Sequence, residues 1–374
     1  MVVSHRYNSP AGDLLTEDRG FIQTHRPAFW LAVVLMVVGI ALNLTTLPAL
    51  IEGFNLEVGF AYLATLAFAA LFIWVIGVIS DLDPKPTNVV VGLFALGALA
   101  GPTVPGFLVD PLTTGVGTFV TDADLVTAIA AATGEEYTKA LLLVLVFLLV
   151  PWWFRRPLDG VVMAALIGLG LQIGEDISYY SGQFGDPSVS VLETLFGRLV
   201  VGGLVGHMMY AAFFGAGFGY AVTTSASAVK KAGALIGTFM LAWLAHFWWD
   251  HPAFDWLGDH GLLGLVGYGL VKGLPFLIVL VFLVVKLVKD ERTFFRGHAQ
   301  PEIDAGALTE EDLVTLETFG GRLKARREPK GHEERFRVRH LIRAQLDLVR
   351  LHIHELTEPE ILEEQRAFVE GLKA

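Results

Sequence analysis

The sequence predicts an all-α polytopic membrane protein with about eight transmembrane helices and a cytoplasmic helical tail. Three observations predict it. Hydrophobic residues fill 53% of the 374 positions and charged residues only 17%. Soluble domains carry roughly a quarter charged residues, so the main solvent here is lipid. Apolar runs of about 20 residues, the length that crosses a bilayer core as a helix, recur from position 28 onward. The loops between them alternate between basic and acidic, as the positive-inside rule requires.

The runs fall at 28–50, 57–80, 88–107, 133–153, 159–180, 195–222, 231–250 and 263–288. The first follows a polar segment, 1–27, and is too long for a signal-peptide core, so it reads as a retained span. Gly101, Pro102 and Pro105 interrupt the outer end of the third. Residues 108–132 are too polar in their first half to cross, and read as a loop leading into a short interfacial helix. Arg6, Arg19 and Arg26 precede the first span, and Lys85, Arg155 with Arg156, and Lys230 with Lys231 mark alternate loops. Lys286, Lys289, Arg292 and Arg296 follow the last span. The intervening loops hold Asp110, Asp122, Asp124, Asp186, Asp255 and Asp259 instead. Both termini are therefore expected in the cytoplasm of a cell-membrane protein, with the loops near 108–130, 181–194 and 251–261 outside.

Residues 28–289 thus form the transmembrane domain, followed by a tail at 290–374. In the tail, Thr309 before Glu310, Glu311 and Asp312 marks one helix start, and Thr357-Glu358-Pro359-Glu360 marks another. Between them, 333–355 mixes Phe336, Leu341, Leu346, Val349 and Ile353 with charges, as an amphipathic surface helix does. His354-Glu355 lacks the second histidine of a zinc-protease motif and reads as solvated surface. The net charge of −11, without a basic stripe, excludes nucleic acid as the expected partner. There is no cysteine, so any metal must be held by histidines and carboxylates.

Ionisable side chains inside a span cost at least a few kcal/mol each and persist only where something compensates. The fourth span carries Glu135, Glu136 and Lys139, the fifth ends on Glu175 and Asp176, the sixth holds His207, and the seventh closes with His246 and Asp250. His246 and Asp250 are four apart and share a helix face. Glu136 lies 19 residues before Arg155, Glu175 lies 19 after Arg156, and His246 lies 15 after Lys231. At about 1.5 Å per residue, all three sit roughly 22–28 Å from the basic markers. His207, 23 residues before Lys230 with part of that interval in a loop, fits the same depth. Such a set supports hydrolysis: a carboxylate acts as base towards water, and two histidines hold a metal or stabilise an oxyanion. Lys139, one turn from Glu135, keeps one acid of the pair ionised.

Each element also has a bland explanation. Glu135, Glu136 and Lys139 fit the interfacial start of a helix, Glu175 and Asp176 a solvated helix end, and His246 an aromatic belt with Trp248 and Trp249. His207 fits an interhelical hydrogen bond. Four bland residues at one depth would be a coincidence. Gly215-Ala216-Gly217-Phe218-Gly219 has no strand before it and reads as close helix packing, not a nucleotide loop. Arg198 and Lys272 also fall inside spans, where they snorkel or pair with Glu193, Asp176 or Asp250, and receive no catalytic role.

Glu-Glu-x-x-Lys at 135–139, Ile-Gly-Glu-Asp-x-x-Tyr at 173–179, His207 before a glycine-rich segment, and His246-x-x-x-Asp250 together resemble the PrsW family of intramembrane proteases. That family is related to the CAAX prenyl-protein endopeptidase and bacteriocin-processing group, and the resemblance covers about residues 125–250. It implies an endopeptidase that cuts a membrane-anchored protein, typically an anti-sigma factor, near the outer face of the bilayer. Glu135 and Glu136 would activate water, and His207 and His246 would be ligands or oxyanion donors. Glu175 and Asp250 would complete or orient the set. Asp250 stands where the CAAX relatives often have Asn, which leaves its role open. Zinc on His207, His246 and Glu175 is one expectation, and a metal-free glutamate route is the other. The rival class is a proton- or cation-coupled transporter, but the paired helix breaks of such proteins are not visible.

Overall fold

The computed structural model describes residues 9–15, 19–180 and 189–373. Residues 181–188, with Asp186 of one expected outer loop, lie outside them. The described residues are all-α, as expected, and contain no strand. The helices are α1 (Pro10–Leu14), α2 (Pro27–Glu52), α3 (Leu56–Ile79), α4 (Thr87–Ala100), α5 (Thr103–Val116), α6 (Ala123–Leu149), α7 (Pro157–Tyr180) and α8 (Val191–Leu195). There follow α9 (His207–Thr223), α10 (Ala228–Asp250), α11 (Gly261–Asp304), α12 (Glu310–Leu316), α13 (Phe319–Arg327), α14 (His332–Ile353) and α15 (Pro359–Lys373).

Six segments among the described residues are long and apolar enough to cross a membrane: Pro27–Thr45, Leu56–Ile79, Thr87–Val116, Pro157–Tyr180, Ala228–Asp250 and Gly261–Asp304. The expected count of eight is not reached on that measure. The two shortfalls are α6, interrupted by Glu135, Glu136 and Lys139, and α9, whose 17 residues fall short of the roughly 20 a bilayer needs. The expected sixth span at 195–222 is not one helix. Phe196–Val201 winds as a π-helical turn, and Gly202, Gly203 and Gly206 then break the chain before His207 opens α9. The expected loop at 108–132 is also corrected. α5 continues to Val116 through Pro111, and α6 starts ten residues early because Asp122 caps it, accepting from the Leu125 amide at 3.1 Å.

The chain divides into two compact units. The membrane unit comprises Phe21–Ile76 and Thr87–Val285. Its centre is α7, buried almost continuously from Leu158 to Ile173. Glycines let its neighbours approach backbone to backbone. A methyl group on Gly170 would lie 2.2 Å from the Phe94 carbonyl oxygen on α4, and one on Gly160 would lie 2.2 Å from that of Gly215 on α9. The glycine run at 215–219 therefore does serve helix packing. At the other end of the site region, Gly168 meets the His207 carbonyl, which sets the entry of α9 against α7. The start of α7 is fixed by Asp159, which accepts from the amides of Arg155 (2.8 Å) and Arg156 (2.7 Å) and pairs with Arg156 Nη2 at 2.9 Å.

The second unit gathers the described parts of Met1–Gly20, Gly77–Pro86 and Lys286–Ala374. Its core includes Phe295, Leu316, Leu346, Val349, Leu351 and Ile353. Of the residues marked in 333–355, Leu346, Val349 and Ile353 are buried, whereas Phe336 is 37% exposed. Thr309 caps α12 reciprocally with Asp312, and α15 begins at Pro359 beside the expected start. Buried Gln365 ties the N-terminal segment in. Its Oε1 accepts from the Ala11 amide (3.1 Å) and Ser9 Oγ (3.2 Å), and its Nε2 donates to the Ala344 carbonyl (2.8 Å). His354 is not solvated surface: it is buried, with Nε2 3.0 Å from Asp83 Oδ1 and Nδ1 3.0 Å from Arg19. The partner comes from the loop at 77–86, a contact about 270 positions away in the chain that no local pattern reveals.

Candidate active site

Four helices bring the expected residues to one place. α6 supplies Glu135, Glu136 and Lys139; α7 supplies Glu175 and Asp176; the first residue of α9 is His207; α10 ends in His246 and Asp250. The site sits where α7 and α10 finish and α9 begins, with Glu135 and Glu136 in the middle of α6. Glu136, Lys139, Asp176, His207 and His246 are buried, whereas Glu135, Glu175 and Asp250 are partly open.

Each imidazole is held by a carboxylate through one ring nitrogen. His207 Nε2 lies 2.7 Å from Glu175 Oε2, and His246 Nδ1 lies 2.7 Å from Glu136 Oε1. Carboxylates accept, so those two nitrogens carry protons; on His207 this leaves Nδ1 as the lone-pair nitrogen, whereas the second nitrogen of His246 faces a further carboxylate, that of Asp250. The two remaining nitrogens turn towards Glu135. His207 Nδ1 is 3.3 Å and His246 Nε2 is 3.8 Å from Glu135 Oε2. The rings stand nearly perpendicular, 5.2 Å between centroids, and Tyr210 stacks on His246 at 4.9 Å.

The supporting residues complete a ring of charge. Lys139 pairs with Glu136 and lies 3.2 Å from His207 Nδ1. Asp250 Oδ2 is 3.2 Å from His246 Nε2. Arg198, given no role from the sequence, reaches Asp176 Oδ1 at 2.5 Å and Glu175 Oε2 at 2.6 Å, so of its expected partners it takes Asp176 and adds Glu175. The signal that could have found it is a charged residue inside an otherwise apolar run, beside the glycines at 197, 202, 203 and 206. Lys272 lies apart from the site, donating to Asp255, Tyr268 and the carbonyls of Trp249 and His251.

A metal fits this donor set on four counts. One ligand atom each from Glu135, His207 and His246 lies within 4.8 Å of the others. The 3.3 and 3.8 Å separations are near the roughly 3.3 Å edge of a tetrahedron with bonds of about 2.0–2.1 Å. Glu135 Oε2 is buried without a hydrogen-bond partner, an arrangement that costs about 1–3 kcal/mol unless something binds there. Finally, among the described residues the acids Glu135, Glu136, Glu175, Asp176 and Asp250 outnumber the cations that face them, Lys139, Arg198 and, from further off, Lys272, an excess that a divalent ion would offset. Geometrically it is Glu135 that stands between the imidazoles, while Glu175 holds the far side of His207.

A cavity of about 250 Å³ reaches the site from one side. It is lined by Gly101, Pro102, Pro105, Gly106, Val109 and Asp110 from the α4–α5 corner, with Glu135, Leu171, Glu175 and Tyr179 at its base. At roughly 10–15 Å³ per water, it has room for a water supply as well as part of a peptide.

A family model described as PrsW family intramembrane metalloprotease matches residues 85–286, more than half of the chain and the whole of the site. No curated protein and no solved structure matches it.

Proposed function

The chain belongs to the PrsW family of intramembrane metalloproteases, and we propose that it cuts a membrane-anchored protein near the outer leaflet with Glu135, His207 and His246 as its reacting centre. An anti-sigma factor is the expected type of substrate. The observation that carries the assignment is the convergence of Glu135 Oε2 with the second nitrogen of each imidazole, the one turned away from Glu175 or Glu136. A divalent metal held by these three atoms would polarise the scissile carbonyl and acidify water. Zinc suits two imidazoles and a carboxylate.

The residues of the chain do the rest. Glu175 and Glu136 accept from His207 and His246, fixing each ring's orientation and tautomer. Glu136, sealed between Lys139 and His246, is therefore assigned to orienting, and Glu135 to the water. Glu135 takes a proton from the attacking water as the new C–O bond forms. It then passes that proton to the departing amine as the C–N bond breaks. Lys139 pairs with Glu136 and Arg198 with Glu175, so each orienting carboxylate has its own cation. Asp250 flanks the same nitrogen of His246 from the more open side and is available to hold water or substrate there.

The metal requirement is tested by elemental analysis and by cleavage of a reconstituted single-span substrate before and after chelation. Near-stoichiometric zinc, lost with activity and restored with it, is the expected result. Full activity in metal-free protein would leave the glutamate route standing alone.

For orientation, we place both termini in the cytoplasm, with α6 and α9 counted as spans that the site's own charge balance makes tolerable. The absence of cysteine makes this directly testable. Single cysteines near 115 and 256 should react with an impermeant maleimide in intact cells, and ones near 226 and 300 should not. Labelling of either of the latter would refute the orientation.

A further inference from the structure

A cavity of about 490 Å³ opens between α13 and α14, lined by Leu323, Arg326, Arg327, Arg335 and Arg339. No acid lines it. Arg335 and Arg339 are four apart and share a face of α14, and Arg326 and Arg327 form the last turn of α13. A helix C-terminus attracts cations, which accounts for two of the four. It does not account for two more arginines facing them from the N-terminal half of the next helix.

Several arginines elsewhere in this unit are matched by acid: Arg322 with Asp81, Arg350 with Asp347, Arg366 with Glu302 and Arg296 with Glu317. Among the described residues, none of the four cavity arginines makes an ion pair. Arg335 Nε donates to the Pro329 carbonyl at 2.7 Å, and Arg326 Nε is buried with no hydrogen-bond partner. The nearby Lys324 is turned to Glu328 instead. Burial, with Arg322 and Arg339 close by, lowers the proton affinity of Arg326, and Asp81 offsets only part of this. Arg327, Arg335 and Arg339 reach solvent, which screens their repulsion, but the buried Nε of Arg326 is left unsatisfied among them, and an anion seated in the cavity would satisfy it.

We propose that this cavity binds a phosphate-bearing anion, with its oxygens shared among the four guanidinium groups. Planar guanidinium forks match phosphate oxygens in pairs, and a carboxylate has too few oxygens to engage forks arriving from two helices. The phosphate has two possible sources: a phospholipid headgroup, since α11 runs unbroken from apolar sequence into this unit, or free phosphate in solution.

The test uses the full chain in phosphatidylcholine nanodiscs, with thermal unfolding as the readout. Inorganic phosphate is titrated at constant ionic strength in one arm, and phosphatidylglycerol is added to the nanodiscs in the other. Either source should raise the unfolding midpoint of the wild type. Arg326→Gln/Arg339→Gln should need at least about tenfold more anion for the same rise, the loss expected when two charge-assisted contacts go. Lys324→Gln should respond as wild type. A response to phosphatidylglycerol alone identifies a lipid headgroup, and one to inorganic phosphate identifies the soluble ion; each supports the site. Removing like charges should leave the variant no less stable without anion. If it fails to fold, Arg326→Lys/Arg339→Lys keeps the charge, loses the forks, and should still bind more weakly. Equal responses in wild type and variants, or a rise reproduced by chloride, would overturn the proposal.

Discussion

Glu135→Gln should cut the rate of substrate cleavage by about 10²–10⁴, the range that a positioned general base contributes. The substitution keeps the shape of the side chain and removes its charge. Because Glu135 Oε2 has no hydrogen-bond partner in the folded chain, the exchange breaks no hydrogen bond, and the unfolding midpoint of the metal-free protein should stay near that of metal-free wild type. The loss would therefore be chemical. Glu136→Gln gives a contrasting result. Its carboxylate accepts from His246 and pairs with Lys139, so an amide there loosens a ring and leaves a buried ammonium poorly matched. Metal affinity should fall by about 10–100-fold, the usual consequence of losing an orienting partner, with activity recovering at higher zinc. Glu135→Gln also weakens a metal ligand, but with the base gone it should stay inactive even when zinc has been restored. If the two variants exchanged behaviours, the roles of the adjacent glutamates would have to be exchanged as well.

Much of this site is legible in the sequence because the membrane raises the cost of every polar residue within it. Glu135, Glu136, Glu175, His207 and His246 stand out against apolar runs, and helix rise alone brings them to a common depth. Burial of a similar set in a soluble protein would carry no such marker. What cannot be read is lateral. Depth does not say that Glu136 faces His246 while Glu135 faces both rings, because adjacent positions on α6 differ by about 100° around the axis. Nor does hydropathy distinguish a continuous span from one broken at 196–206, since Leu199, Val200, Val201, Leu204 and Val205 stay apolar through the break. The break is what brings Arg198 to Glu175. The tail shows the opposite limit. Its helix starts are written in local capping residues, but its assembly with Asp83 and the N-terminal segment depends on contacts between distant parts of the chain.

Attachment of a bulky maleimide to a cysteine at position 106 should abolish cleavage, reducing it by about a hundredfold or more, as displacement of a substrate from attack position does. Gly106 lies on α5 beside the cavity that ends at Glu135 and Glu175. A side chain added there meets nothing within 4 Å, so Gly106→Cys itself should fold and cut almost as wild type. The chain has no other cysteine, and the same sample can be measured before and after labelling. A helical substrate segment hides its carbonyls in its own hydrogen bonds, so it has to unwind to reach Glu135. The cavity, with Asp110 at its edge and Tyr179 at its base, offers polar partners to the backbone groups released in doing so. Gly115→Cys, on the same helix but outside the cavity, also enters open space and serves as the control, since its labelling should leave cleavage unchanged. Metal content should be the same in both labelled proteins, which separates a blocked entrance from a damaged centre. Unimpaired cleavage by protein fully labelled at position 106 would mean that the substrate reaches Glu135 by another path.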